Sequence, residues 1–289
     1  MRDDLPLFQA SLLQCEANRA HPYPVVSLFS GAMGLDMGLE QAGLRTVVAQ
    51  DIDPWCVQTI RRNGHTAVQG DLRQLLAEDP QLHGLLDTCG MRGREIFAVV
   101  GGPPCQPFST AGKRMGVQDH RGQLYEDFVQ VVRQLKPRFF VMENVKGLIS
   151  SHHGGTPMFS RICRDLAAPA KGLSYEIRSL VKRDEVFGLV PDDYIIEAER
   201  YGIPQTRHRV ILLGVRSDLS KRPSGLLVES ARQVTVGQTL AGMPRIRSRL
   251  SRGADSTEAW REVVRSAPAT VRGWGVGGER QVMAAMSAA

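Results

Sequence analysis

The chain has 289 residues, 42% hydrophobic and 23% charged, the balance of one large folded unit or one and a half domains. Its 29 glycines and 16 prolines follow no period, which excludes collagen-like and low-complexity classes, and no apolar run approaches the roughly eighteen residues of a membrane helix. The formal charge of +6 is confined to one part: residues 216–289 hold 12 Lys/Arg against 6 Asp/Glu, leaving 24 of each in residues 1–215.

Residues 1–22, opening MRDDLPLFQA with two acids, are expected to be a leader outside the fold and do not read as a secretory signal. From residue 23 onward, apolar runs bounded by turn residues alternate with amphipathic stretches. That is the pattern of an α/β protein with a doubly wound, mostly parallel sheet covered by helices. Strands are expected over 24–29, 46–50, 67–69, 96–100, 139–142, 175–180 and 209–215, and helices over 33–42, 54–62, 122–135 and 158–166. Pro54 suits a first helical turn, and Gly43 and Gly64 suit helix ends. The unit therefore spans 23–216, and 217–289 reads as a basic tail with a flexible GWGVGG stretch at 273–278. Arg245, Arg247, Arg249 and Arg252 in that tail could follow a phosphate backbone, or form a solvated arginine-rich surface. Five cysteines without paired spacing argue against a disulfide framework or a zinc site and for a reducing, cytoplasmic setting.

Four places carry chemistry. In VVSLFSGAMGLDMG a strand runs into Gly31 and Gly34 and then a helix, a turn that lets a ligand approach the backbone closely or simply a tight strand-to-helix connection. The next two strands end in QDIDP and QGDL, placing Asp51, Asp53 and Asp71 on the same rim. Acids there hold ribose hydroxyls in nucleoside-binding folds, and helix caps are the other reading. In VVGGPPCQPFS, Cys105 follows two prolines after an apolar strand, so its thiol is carried on a stiff, accessible loop, the setting of a nucleophile. Cys15, Cys56, Cys89 and Cys163 lack such a setting.

In RFFVMENVKGL, Glu143 and Asn144 end another apolar strand. A carboxylate at a buried strand tip is partly desolvated, which favours its protonated form and suits it to give or share a proton. Asn144 could equally cap the following segment. In YGIPQTRHRVILLGV, Arg207 and Arg209 alternate as a strand begins, so both guanidinium groups share a face and suit an anionic or carbonyl partner, or are the surface residues that a pair of strand-start arginines normally is.

FSGAMGLDMG, GGPPCQPFS, MENVKGL and YGIPQTRHRV, in this order and spacing, closely resemble the cytosine-5 DNA methyltransferase family over roughly residues 24–216. The resemblance implies a Rossmann-like fold that binds S-adenosylmethionine and acts on double-stranded DNA without a metal. It implies that Phe29, Gly31, Gly34 and Leu35 border the methionine and adenosine, that Asp51 holds the ribose, where glutamate is common, and that Ile52 contacts adenine. Asp71 would read the adenine amino group, and Leu124 in RGQLYEDF would line the same pocket. Carbon 5 of cytosine is too poor a nucleophile to take a sulfonium methyl group until a thiolate has added to carbon 6. Cys105 is implied for that addition, with Glu143 at nitrogen 3 and Arg207 and Arg209 holding the base. The base must be flipped out of the duplex, and residues 109–121 are the expected lid. The base that removes the carbon 5 proton is not identified.

The chain departs from the family pattern after the arginine strand. TVGQTLAGMPRI resembles the segment that leads into a target-recognition domain, but the usual later Gly-Asn-Ser/Ala-Val element is not found. A split enzyme completed by a second chain, a truncated product and a compact variant each fit. A non-catalytic regulator of a partner and an RNA-directed methyltransferase are the alternatives in function, FST after the cysteine loop favouring DNA.

Overall fold

The structure, a computed structural model, describes residues 23–104, 124–153, 155–183, 188–219, 225–243 and 255–271. The expected leader, Cys105, the expected lid and the arginine cluster at 245–252 lie outside the described residues. The chain divides into two units, Met1–Thr239 and Leu240–Ala289.

In the first unit, β1 (Tyr23–Leu28) leads into α1 (Gly34–Gln41), followed by β2 (Leu44–Asp51), α2 (Pro54–Arg62) and β3 (Ala67–Gln69). Two short helices, α3 (Leu72–Glu78) and α4 (His83–Asp87), precede β4 (Ala98–Gly101). Then come α5 (Leu124–Leu135) and β5 (Phe139–Val145), a small hairpin of β6 (His152–His153) and β7 (Thr156–Pro157), and α6 (Met158–Ala167). The unit ends with β8 (Tyr175–Arg178), β9 (Ile195–Glu197), β10 (His208–Arg216) and a single turn, α7 (Val236–Thr239).

The main sheet runs β3-β2-β1-β4-β5-β10-β8, with β9 also paired to β10. Pairings from β3 to β5 are parallel, and β10 is antiparallel to β5, β8 and β9. Val25, Val26 and Leu28 of β1 and Val99 and Val100 of β4 are fully buried, as expected of central parallel strands covered on both faces. Val26, Leu28 and Val99 pack with Phe128 and Val132 of α5 and Ile162 of α6, whereas Val25, Ala98 and Val100 pack with Leu35 and Leu39 of α1. On α1's side, Ala49 of β2 meets Val57 and Ile60 of α2. Helices thus cover both faces, and the direction of winding reverses between β1 and β4.

The expected strands and long helices are present, while α3, α4, β6, β7, β9, α7 and a helix over Thr257–Val271, within the expected tail, are additional. Every expected strand is parallel up to β5; β10 is not, because its partners rather than its own residues decide its direction. Gly214 on β10 lies opposite Phe140, and a Cβ there would stand 2.0 Å from that ring. In the second unit the described helix is α8 (Thr257–Val271), whose first turn is capped by Ser256 Oγ accepting from the Ala259 N–H at 3.0 Å. Among the described residues no helix is long and apolar enough to cross a membrane, and no His/Cys/Asp/Glu group is arranged to hold a metal.

Candidate active site

In doubly wound sheets, ligands bind outside the carboxyl ends of the strands where the winding reverses. At that point β1 and β4 approach so closely that a Cβ on Gly101 would lie 2.6 Å from the Leu28 carbonyl oxygen. Beyond Leu28 the chain turns through three left-handed residues, Phe29 (φ 52), Gly31 (φ 55) and Met33 (φ 66). Only glycine takes that conformation without strain, and Met33 pays for it with a buried side chain packed against α2.

The second strand holds this turn. Ser30 N–H donates to the Gln50 carbonyl at 3.1 Å, and Gly31 N–H to Asp51 Oδ2 at 2.7 Å. Asp51 Oδ1 accepts from the Asp53 N–H at 2.8 Å, so this one carboxylate organises two loops on the rim. Buried Gln50 does the same with its amide, accepting from Phe29 N–H at 3.4 Å and donating to the Gly70 carbonyl at 2.6 Å. Gln50 went unnoticed in the sequence, although a glutamine inside an apolar strand was the available signal. Asp53 and Asp71 are helix N-caps, accepting from Trp55 and Cys56 N–H groups and from Arg73 N–H respectively. Ile52 stands at the rim, 62% exposed, and Leu124 opens α5.

A cavity of about 570 Å³ joins the glycine turn to the far side of the crevice, lined by Phe29, Gly34 and Leu35 on one side and by Glu143, Arg207 and Arg209 on the other. Its size suits a cofactor-sized ligand. Asp36 of α1 lies buried against the cavity. Burial pushes its carboxyl above the ordinary carboxylate range, opposed by hydrogen bonds from Ser27 and from Thr46, whose Oγ1 is 3.0 Å from Oδ1.

On the far side, β10 pairs Ile211 with Glu143 and Arg209 with Val145, which places Arg209 diagonally across from Glu143 on the same face. Arg209 Nε is 2.8 Å from Glu143 Oε1, and Arg207 Nη2 is 3.9 Å from the same atom. The carboxylate is 27% exposed, the partial desolvation expected of a strand tip, and it has in addition a cationic neighbour. Gly102 makes room for it: a Cβ there would sit 2.9 Å from Glu143 Oε2. Asn144 caps no helix. It is buried and donates Nδ2–H to the Pro103 carbonyl at 3.2 Å, tying β5 to the Pro-Pro-Cys loop two residues before Cys105. The described thiols are unactivated: burial pushes Cys163 up to about 12, and Cys56 and Cys89 are raised chiefly by burial too.

A doubly wound sheet with an antiparallel strand set at its edge, and a cofactor-sized cavity at the reversal point, define the fold class of S-adenosylmethionine-dependent methyltransferases. The chain belongs to the C-5 cytosine-specific DNA methylase family, whose pattern matches residues 23–259. It is 38% identical over 194 residues to the Type II methyltransferase M.AquIA of Picosynechococcus sp., covering 66% of this chain and 71% of that protein. It is 31% identical over 222 residues to the Type II methyltransferase M.NgoPII of Neisseria gonorrhoeae, covering 75% of this chain and 55% of that one. Among solved structures, a protein described as a DNA modification methyltransferase encoded within an E. coli prophage superposes with a TM-score of 0.56 at 27% identity, over 80% of this chain and 58% of that one. The chain thus spans 71% of one relative and little more than half of the other two.

Proposed function

We propose that this chain is the catalytic part of a cytoplasmic DNA cytosine-5 methyltransferase, with residues 23–216 as the catalytic domain and 217–289 as the start or remnant of a target-recognition region. The observation that carries the reading is the placement of Glu143, Arg207 and Arg209 on one wall of a cavity whose other wall is the glycine turn. That wall fits S-adenosylmethionine: Phe29, Gly34 and Leu35 line it, with open space at Gly34, while left-handed Gly31 and the acids at the ends of two neighbouring strands stand outside the lining on the same rim. Phe29, Gly31, Gly34 and Leu35 would border the cofactor, with Asp51, Ile52, Asp71 and Leu124 around its ribose and adenine. When bound, it supplies an electrophilic methyl group.

The chain's own residues do the rest. The thiolate of Cys105 adds to carbon 6 of a flipped cytosine while Glu143 holds a proton at nitrogen 3, so that electron density reaches carbon 5. Arg209, held by Glu143, keeps that carboxyl in place, and Arg207 faces the base. After transfer a base removes the carbon 5 proton and the thiol departs. Double-stranded DNA is the substrate, its sequence read by a segment outside the catalytic domain or on a second chain.

The test is covalent trapping. Wild-type chain with S-adenosylmethionine should form an adduct with 5-fluorocytosine DNA at Cys105, alone or with a chain carrying a Gly-Asn-Ser/Ala-Val segment. Cys105→Ser should abolish it while S-adenosylhomocysteine still binds, because a hydroxyl is far less ionised than a thiol. An adduct on Cys89 or Cys56, or methylation of tRNA instead of DNA, would refute the assignment.

A further inference from the structure

The strand that carries the two arginines is gripped from its other side. Arg207 and Arg209 face the cavity, and His208 between them does not line it, as the alternation of a strand requires. His208 Nε2 lies 2.8 Å from Glu199 Oε1. Glu199 belongs to the 3₁₀ turn Ala198–Tyr201 that connects β9 to β10. That turn is closed by the Ala198 N–H donating to the Arg207 carbonyl at 3.1 Å, and it leaves through Gly202 at φ 80.

The two arginines are not held equally. Arg209 sits within β10, bonded to Glu143 and to the His208 carbonyl. Arg207 lies one residue before β10, is 50% exposed, and at 3.9 Å from Glu143 is beyond hydrogen-bond reach. Its aim therefore depends on how the turn before it is fixed. Three side-chain ties fix that turn: Glu199 to His208, Arg200 to Glu197 at 3.5 Å, and Arg200 to Glu229, the last reinforced by the Ser230 N–H donating to the Arg200 carbonyl at 2.9 Å. The hydrogen bond from His208 also holds the Glu199 carboxyl below its usual range. A part-exposed ion pair adds little to global stability; its effect here is local.

We infer that Glu199 and His208 are positioning residues for Arg207, clamping the β9–β10 turn onto the strand so that this guanidinium faces the base-binding cavity beside Glu143. The inference rests on the methyltransferase reading, in which Arg207 holds the flipped base, and it deepens that reading by naming residues outside the cavity that act through it.

The test is a mutant cycle with two readouts. Glu199→Ala and His208→Ala should each slow 5-fluorocytosine trapping about tenfold, in the range of coupled neighbours, with S-adenosylhomocysteine affinity changed less than about twofold. Glu199→Gln, which still accepts from the imidazole, should recover most of the rate. In an Arg207→Ala background, Glu199→Ala should cost nothing further, whereas an undiminished loss there would overturn the inference. Hydrogen exchange should quicken in residues 198–209 of Glu199→Ala and stay unchanged in β1 and α5; unchanged exchange in 198–209 would overturn the clamp. A wild-type chain that forms no adduct under any condition would refute the methyltransferase reading instead, and the exchange measurement would still decide whether the turn is clamped.

Discussion

Asn144 at the end of β5 donates its side-chain amide to the carbonyl of Pro103 across 3.2 Å, and its own Oδ1 accepts from the Val145 N–H at 2.8 Å. One residue earlier on the strand, Glu143 faces the cavity; two residues after Pro103 comes Cys105. The proposed acid and the proposed nucleophile are thereby referenced to one buried side chain. Asn144→Ala would leave the Pro103 carbonyl unpaired inside the protein, and should cost about 1–3 kcal/mol in urea unfolding as well as slow adduct formation. Unchanged stability and trapping would mean that the loop is anchored elsewhere.

Two glycines offer a contrast between function and fold. A Cβ on Gly102 would crowd the carboxylate end of Glu143, at 2.9 Å, and meet its backbone carbonyl at an ordinary 3.7 Å, and a flexible side chain can swing away. Gly102→Ala should therefore change stability by less than about 1 kcal/mol but displace the carboxylate and strongly reduce trapping. A Cβ on Gly214 would meet the fully buried ring of Phe140 at 2.0 Å, where nothing can move without disturbing the core. Gly214→Ala should destabilise by about 1–3 kcal/mol or more. Thermal unfolding and trapping on both variants would decide, and a reversal of the two profiles would show that the cavity tolerates a shifted Glu143.

The parts of this fold that were legible are those whose residues respond to burial alone. β1 and β4 read as apolar runs, interrupted in β1 only by Ser27, because helices cover both their faces, and α2 announced itself through Asp53-Pro54 at its start and Gly64 beyond its end. Arg207 and Arg209 were expected on one face, and two-residue alternation put them there. What escaped depends on partners distant in sequence. The direction of β10 is decided by its neighbours, and β9 is three half-buried residues recognisable only through their ladder to His208, Arg209 and Val210. The same holds for Gln50 and Asn144. Each is a polar residue in an apolar strand, and its role comes from a carbonyl about twenty or forty positions away.

Asp36 makes stability depend on pH in a direction opposite to a salt-bridged carboxylate. Burial raises its folded-state value above 3.8, so the folded protein binds this proton more tightly than the unfolded chain. Its contribution is fully present below 3.8 and is lost as pH rises through the folded value. Asp36→Asn keeps an oxygen for Thr46 and Ser27 without the charge. The variant should be more stable than wild type at pH 7, with the difference shrinking as pH falls toward 3.8. Urea unfolding across that range is the measurement, and a variant less stable at neutral pH would show that the ionised carboxylate is needed where it lies.

Asp51 combines a structural role with the proposed binding role, and the two can be separated. Its oxygens accept from Gly31 N–H and Asp53 N–H at 2.7 and 2.8 Å, yet each carboxylate oxygen has a second lone pair available for a ribose hydroxyl. Asp51→Ala removes both roles and should weaken S-adenosylhomocysteine binding by about 1–3 kcal/mol, the range for hydrogen bonds to a charged acceptor and for the groups left unpaired. Asp51→Asn keeps one accepting oxygen, so one of the two backbone donors loses its partner and the affinity should fall between wild type and Asp51→Ala. Calorimetry on the three proteins measures this, and hydrogen exchange at Gly31 and Asp53 reports the loops independently. If those amides exchange faster in Asp51→Ala while affinity stays at the wild-type value, the carboxylate serves the turn alone and the ribose is held by other groups.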